Sequence, residues 1–246
     1  MNYSFDTATL THPGKVRQVN EDSLYANAKR GVWVVADGMG GHRDGNIASA
    51  MITEAARKMA EQGEPNSRLA GHLAEVNREL LQISNGEESK LVGSTVTALL
   101  ADGGGYSCVW AGDSRCYLVR GGQIQQLSRD HTEAQEFVAN GLISEEEARN
   151  WHRRNVITRA VGADDNLQLD QAQGSFAEGD CFILCSDGLT GHVTDAEILS
   201  SVTWAAPEPA CASLVDLALE RGGKDNISVI VIHVTRSGKT VITQKG

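Results

Sequence analysis

Four aspartates stand where an apolar, strand-favouring run meets glycine or a turn. Asp37 closes Val32-Trp-Val-Val-Ala36 and opens Gly38-Met-Gly-Gly-His42; Asp187-Gly188 closes Cys181-Phe-Ile-Leu-Cys-Ser186. Asp113 follows the run 106–112, and Asp225 immediately precedes Ile227-Ser-Val-Ile-Val-Ile-His-Val234. A single Asp-Gly pair after a strand is commonly only a turn. Four such carboxylates carry more weight, because in an antiparallel sheet the end of one strand lies beside the start of its neighbour, so all four can share one edge. Clustered carboxylates repel unless they share protons or hold cations. Oxygen-only donors with no Cys and few nearby His suit hard octahedral ions, Mg²⁺ or Mn²⁺, and not zinc. A calcium-binding EF-hand is excluded, since the position two beyond Asp37 is Met39 and the twelfth place is Ala48.

Those residues need a scaffold, and hydrophobic periodicity supplies one. Strands are expected at 3–10 and 23–27, separated by the charged loop 11–22. Ile47, Met51, Ala55 and Met59 recur every four residues and predict a helix ended by Gly63 and Pro65. Leu69, Leu73, Val76, Leu80 and Ile83 predict a second from about residue 67, stopped by Asn85-Gly86. Strands at 95–100 and 106–110 flank Asp102-Gly-Gly-Gly105, so Asp102 reads as a hairpin residue and not as a ligand. Strands at 116–120 and 124–127 flank Gly121-Gly122. Residues 130–165 turn polar, with a short helix near 134–140 and a capping box, Ser144 with Glu147, opening another toward Trp151. This insert, about 132–165, reads as a mobile flap or a fixed helical hairpin. A strand at 180–186, helices at 195–202 and 208–220, the strand at 227–234 and a polar tail at 237–246 complete the chain. Hairpins with paired helices predict antiparallel sheets covered by helices in one domain, 1–236.

Composition narrows the function classes. The chain has 246 residues, 41% of them hydrophobic, and a net charge of -10. That charge argues against a nucleic-acid or anionic-membrane partner, although Arg149, His152, Arg153 and Arg154 form a local basic cluster. The five cysteines include no Cys-x-x-Cys pair and read as reduced core residues of a cytoplasmic protein. The N-terminal residues lack a signal-peptide pattern, and no apolar run reaches membrane-spanning length. Gly238-Lys239-Thr240 is no phosphate-binding loop, because the glycine required five positions earlier is His233.

The motifs also form an ordered set. Arg17-x-x-Asn20-Glu21-Asp22, Val35-Ala36-Asp37-Gly38-Met39-Gly40-Gly41-His42, Gly93-Ser94-Thr95, Gly112-Asp113-Ser114-Arg115, Asp130-His131, Thr158-Arg159-Ala160-Val161-Gly162, Ser186-Asp187-Gly188 and Lys224-Asp225-Asn226 run from residue 17 to 226. In this order they resemble the metal-dependent protein serine/threonine phosphatases, the PPM family, in its bacterial form. The resemblance implies an α+β fold: a sandwich of two antiparallel sheets flanked by helix pairs, with two Mn²⁺ or Mg²⁺ ions at one end. It implies that Asp37 bridges both ions, that Asp187 and Asp225 complete the first site, and that the Gly38 carbonyl joins the second, whose waters Glu21 or Asp22 would hold. Asp113 would help Asp187 bind a third, weaker ion.

The implied reaction is hydrolysis of phosphoserine and phosphothreonine on proteins by a hydroxide bridging the two ions, opposing a cognate serine/threonine kinase. Arg17 matches the arginine that grips the substrate phosphate, and its planar fork suits phosphoryl oxygens. Animal members carry His directly after the Asp-Gly pair where this chain has Met39, so His42 is the candidate proton donor to the leaving alkoxide. The segment Thr11-His-Pro-Gly-Lys-Val-Arg17 is similar to that of phosphatases countering the kinase of type VI secretion systems. Two alternatives stand beside this reading: a non-catalytic scaffold with the same fold, and a phosphatase dedicated to a sigma-factor regulator.

Overall fold

The computed structural model describes residues 3–40, 44–84 and 91–237. In chain order the strands are Tyr3–His12 (β1), Asp22–Asn27 (β2), Val32–Met39 (β3), Gly93–Ser94 (β4), Val96–Asp102 (β5), Gly105–Ala111 (β6), Arg115–Arg120 (β7), Gln123–Gln126 (β8), Asp170–Ser175 (β9), Cys181–Cys185 (β10) and Ile227–Arg236 (β11). The helices are Asp44–Glu61 (α1), Leu69–Ser84 (α2), Glu133–Ala139 (α3), Glu145–Arg149 (α4), Asp187–Thr190 (α5), Asp195–Thr203 (α6) and Pro207–Glu220 (α7). Strands β1-β11-β10-β7-β8 form one sheet and β2-β3-β5-β6-β9 the other, with β4 paired to the end of β3. Every pairing is antiparallel.

Side-chain alternation along the strands sorts the apolar residues into three layers. Trp33 and Val35 of β3, Cys108 and Trp110 of β6, Phe182 and Leu184 of β10, and Ile230 and Ile232 of β11 fill the space between the sheets. On β3 the intervening Val32, Val34 and Ala36 face outward and meet Ala48, Ile52 and Ala56 of α1 with Leu69, Leu73 and Leu80 of α2. On the other sheet Cys181, Ile183, Val229 and Val231 face outward against Ile198 of α6 and Leu214 and Ala218 of α7. The result is the expected helix-sheet-sheet-helix sandwich. Rings of Phe5 and Trp33 meet edge to face at 4.9 Å, and each fully buried large side chain contributes roughly 1.5–3 kcal/mol.

The parity of β3 matters for chemistry. Asp37 shares the face of Trp33 and Val35, and β2 pairs Asp22 directly with Asp37, so both carboxylates sit on the inter-sheet face at one end of the sandwich.

Three expectations change in detail. Asp37 does not close its strand, because β3 continues to Met39 and pairs there with β4. Asp187 opens a short helix where the sequence predicts no element. The strand β9 was not predicted at all. The flap contains α3 and α4 and closes on itself: Phe137 meets Trp151 at 5.5 Å, the capping box of Ser144 and Glu147 is formed, and Thr132 bridges Ile157. It is built as a helical hairpin. The predicted stop at Asn85-Gly86 and the tail from residue 238 lie outside the described residues. Among the described residues no helix is long and apolar enough to cross a membrane, and the five cysteines are unpaired and buried.

Candidate active site

The carboxylates do converge, but from both sheets and not along one sheet edge. Asp22 and Asp37 come from β2 and β3; Asp187 and Asp225 lie at the adjoining ends of β10 and β11; Asp113 sits in the β6 to β7 connection that crosses between the sheets. Asp37 is held by its backbone: its N–H donates to Thr95 Oγ1 at 3.0 Å, while its carbonyl accepts from Thr95 N at 2.8 Å and Ser94 Oγ at 2.9 Å. Its side chain is left for other partners and meets that of Asp187.

Close approach requires glycine at two places. A Cβ on Gly38 would stand 2.0 Å from the Gly45 carbonyl oxygen, and one on Gly188 would stand 1.9 Å from that of Asn226. The first lets the start of α1 fold against the end of β3, and there the Gly45 N–H donates to the Glu21 carboxylate. The second lets α5 press against the start of β11.

Arg17 reaches the rim from the loop before β2. Its Nη2 lies 2.8 Å from Asp225 Oδ2, with both side chains about half exposed. Asn226 holds that loop. Its Nδ2 donates to the carbonyls of Pro13 (2.9 Å) and Val19 (3.0 Å), and its Oδ1 accepts from Glu21 N at 2.8 Å. Ser186 Oγ donates to Asp22 Oδ2 at 2.8 Å and accepts from Ser228 N at 3.0 Å.

Asp113 is set by two further networks. Arg115 binds Asp130 through Nε and Nη2 at 2.7 to 3.1 Å and donates from Nη1 to Tyr117 Oη at 2.9 Å, and that hydroxyl donates to Asp195 at 3.0 Å. His131 stacks on Trp110, and its Nδ1 accepts from Gly112 N at 3.2 Å. Nε2 therefore carries the proton and donates to Asp170 Oδ2 at 3.1 Å, while Arg159 holds the other oxygen at 3.0 Å.

The electrostatics describe a site short of positive charge. Burial, then the charges of its neighbours Asp22, Asp187, Asp113 and Asp225, pushes Asp37 well above the usual carboxylate range. Burial and Asp187 push Asp113 to about 8. Burial raises Asp22 to about 6, and it also raises Asp187 and Glu21. Asp22 Oδ1 and Asp113 Oδ1 are buried with no hydrogen-bond partner. Orphaned carboxylate oxygens in a cluster that resists ionisation are the donor set a hard dication needs, so these residues fit the implied metal centre. Among the described residues no three His, Cys, Asp or Glu side chains close around a point by themselves. An ion held here would draw on these carboxylates together with backbone oxygen and water, as Mg²⁺ commonly does.

A sequence profile of protein phosphatase 2C matches residues 14–222. The chain belongs to the protein phosphatase 2C family. Among relatives, the serine/threonine protein phosphatase PstP of Mycobacterium tuberculosis is 35% identical over 235 residues, covering 92% of this chain and 44% of its own length. The chain thus spans under half of that relative. The solved catalytic domain of PstP in complex with two manganese ions superposes with a TM-score of 0.85 at 33% identity, over 95% of this chain and 99% of that one. PppA, described as a key regulatory component of T6SS in Pseudomonas aeruginosa, superposes with a TM-score of 0.86 at 37% identity, over 95% of this chain and 100% of its own.

Within the protein phosphatase 2C fold, the structure brings Arg17, Glu21, Asp22, Asp37, Gly38, Asp113, Asp187 and Asp225 to one end of the sandwich. His42 lies outside the described residues. Sequence reasoning gave no role to Asn226, Ser186, Thr95 or His131, although each sits inside a motif it quoted. Their job is to fix backbone and orient carboxylates, which spacing alone does not reveal.

Proposed function

We propose that this chain hydrolyses phosphoserine and phosphothreonine on proteins in a metal-dependent reaction that opposes a serine/threonine kinase. The observation that carries it is the convergence, from two sheets, of carboxylates with orphaned buried oxygens beside an arginine at the rim. Asp37 would bridge two divalent ions, Mn²⁺ or Mg²⁺, with Asp187 and Asp225 on the first, Gly38 with Glu21 or Asp22 on the second, and Asp113 with Asp187 on a third. Bound there, such ions lower the pKa of a water and neutralise phosphoryl charge.

The chain's own residues do the rest. Arg17, tethered by Asp225 yet half exposed, presents its fork at the mouth to orient the phosphoryl oxygens. Ser186 and the Asn226 carboxamide keep Asp22 and Glu21 in place. The Arg115–Asp130 pair and the His131–Asp170 pair hold the loop of Asp113. His42 protonates the leaving serine or threonine oxygen; unchanged turnover and pH profile in His42→Gln would remove it from that role.

The likeness to PppA supports a place in type VI secretion control. The unpaired cysteines support a cytoplasmic setting. Residues 1–236 are read as one catalytic domain, with the flap at about 132–165 and a polar tail at 237–246. Phosphate release from a phosphothreonine peptide with Mn²⁺, with Mg²⁺ and with chelator, beside Asp187→Asn, tests the proposal. Metal-dependent release that collapses in the variant is expected. No release under either metal would return the chain to the scaffold reading.

A further inference from the structure

A cleft of about 470 Å³ is lined both by Asp113 and Asp187 of the carboxylate site and by Arg149, Asn150, Arg154 and Asn155 of the flap. That volume is in the range that encloses a multi-atom ligand, about 300–1,000 Å³, and exceeds what a phosphoryl group alone requires. A second depression of about 620 Å³ shares Arg115, Gln135 and Arg149 with it and continues to the start of α6, so an extended segment has a path across the surface.

The basic residues of the flap are not equivalent. Arg153 Nη2 lies 3.0 Å from Glu133, and Arg115 is bound to Asp130. Arg149 and Arg154 are exposed, and among the described residues neither guanidinium has an acidic partner. The cleft also carries Asp113, Asp187 and the Arg115-paired Asp130, so in a chain of net charge -10 the two unpaired guanidinium groups of the flap are the part of its lining that attracts an anion. The phosphoryl group belongs at the Asp113 and Asp187 end on the reading given above. A carboxylate a few residues away along the same peptide belongs at the other.

We infer that Arg149 and Arg154 form a carboxylate subsite that reads an acidic side chain flanking the phosphoresidue of the protein substrate. The inference rests on the proposed phosphatase reaction and adds a substrate preference to it. Arginine suits the task because its planar fork pairs with both oxygens of a carboxylate. The occupant is an extended acidic segment of the phosphoprotein itself.

The test uses the full chain with Mn²⁺. Its substrates are p-nitrophenyl phosphate and phosphothreonine peptides in which one Glu is moved through the flanking positions of an otherwise Gln- and Ala-based sequence. Wild type should prefer Glu to Gln at one or two positions by about fivefold to tenfold in kcat/KM, the change lying in KM. The Arg149→Gln, Arg154→Gln double variant should lose that preference while hydrolysing p-nitrophenyl phosphate and the all-Gln peptide as before. Arg153→Gln should keep it. Two results overturn the subsite while leaving the reaction intact: no preference for Glu at any position, or a double variant that slows on all substrates alike. Absence of metal-dependent p-nitrophenyl phosphate hydrolysis by wild type would instead refute the phosphatase reading itself.

Discussion

Asp113→Asn separates the electrostatic cost of the carboxylate cluster from its catalytic use. Asp113 is 7% exposed, and burial with the Asp187 charge moves it from its ordinary 3.8 to about 8. A carboxylate raised on folding stabilises the fold fully below its unfolded pKa, and that contribution is lost as pH rises toward the folded value. Between pH 5 and pH 7.5 the unfolded chain is already ionised while folded Asp113 still holds its proton. Each pH unit in that window costs about 1.4 kcal/mol, so wild type should lose about 3 kcal/mol relative to Asp113→Asn across it. Urea unfolding of both proteins in chelator at pH 5 and pH 7.5 measures the change. Saturating Mn²⁺ should narrow the gap, because a cation takes the place of the proton. Parallel pH profiles in chelator would refute the reasoning, since they would mean that Asp113 ionises as freely in the fold as in the unfolded chain.

Three other outcomes follow from the same contacts. Arg17→Gln should lower kcat/KM on a phosphopeptide by about 100-fold with unfolding free energy changed by less than about 1 kcal/mol, because the half-exposed side chain supports substrate and not the core. Arg115→Met strands the largely buried Asp130 carboxylate and should cost about 3–5 kcal/mol by urea unfolding, part of it recovered by adding Asp130→Asn. Gly38→Ala forces a Cβ to within 2.0 Å of the Gly45 oxygen and should abolish activity and lower Tm, whereas Gly71→Ala, with nothing within 4 Å on α2, should stabilise by about 0.5–1 kcal/mol.

The sandwich was legible because β3, β10 and β11 are dense apolar runs and α1 and α2 carry apolar residues at helical spacing, although α1 buries Ala48, Ile52 and Ala56, one residue on from the Ile47, Met51 and Ala55 stripe, and Ile47 and Ile83 are exposed. Strand β9, Asp170-Gln-Ala-Gln-Gly-Ser175, was not legible. It is a polar edge strand with little intrinsic strand preference, and only its pairing with β6 makes it one. The same pairing brings Asp170 to His131, a contact across 39 positions that no local pattern announces. Asp37, Asp187 and Asp225 were visible as Asp-Gly and Asp-Asn punctuation at run ends and Asp113 as the residue after a run, whereas Glu21 and Asp22 came only with the family resemblance. That the carboxylates arrive from two sheets was not visible, since periodicity reports which face a residue takes but not which sheet its strand joins. Arg149 and Arg154 were visible as a basic cluster. Which of its members are neutralised depended on where Glu133 falls.

Everything proposed for this site depends on its carboxylates assembling a centre for divalent cations. Crystals soaked in Mn²⁺ and measured at the manganese absorption edge would show whether they do. Two strong anomalous peaks should flank the Asp37 carboxylate, one beside Asp187 and Asp225 and one beside the Gly38 carbonyl, with both strongly reduced in Asp37→Asn. Peaks elsewhere on the molecule, or none at Asp37 at millimolar Mn²⁺, would mean that the carboxylates assemble no such centre.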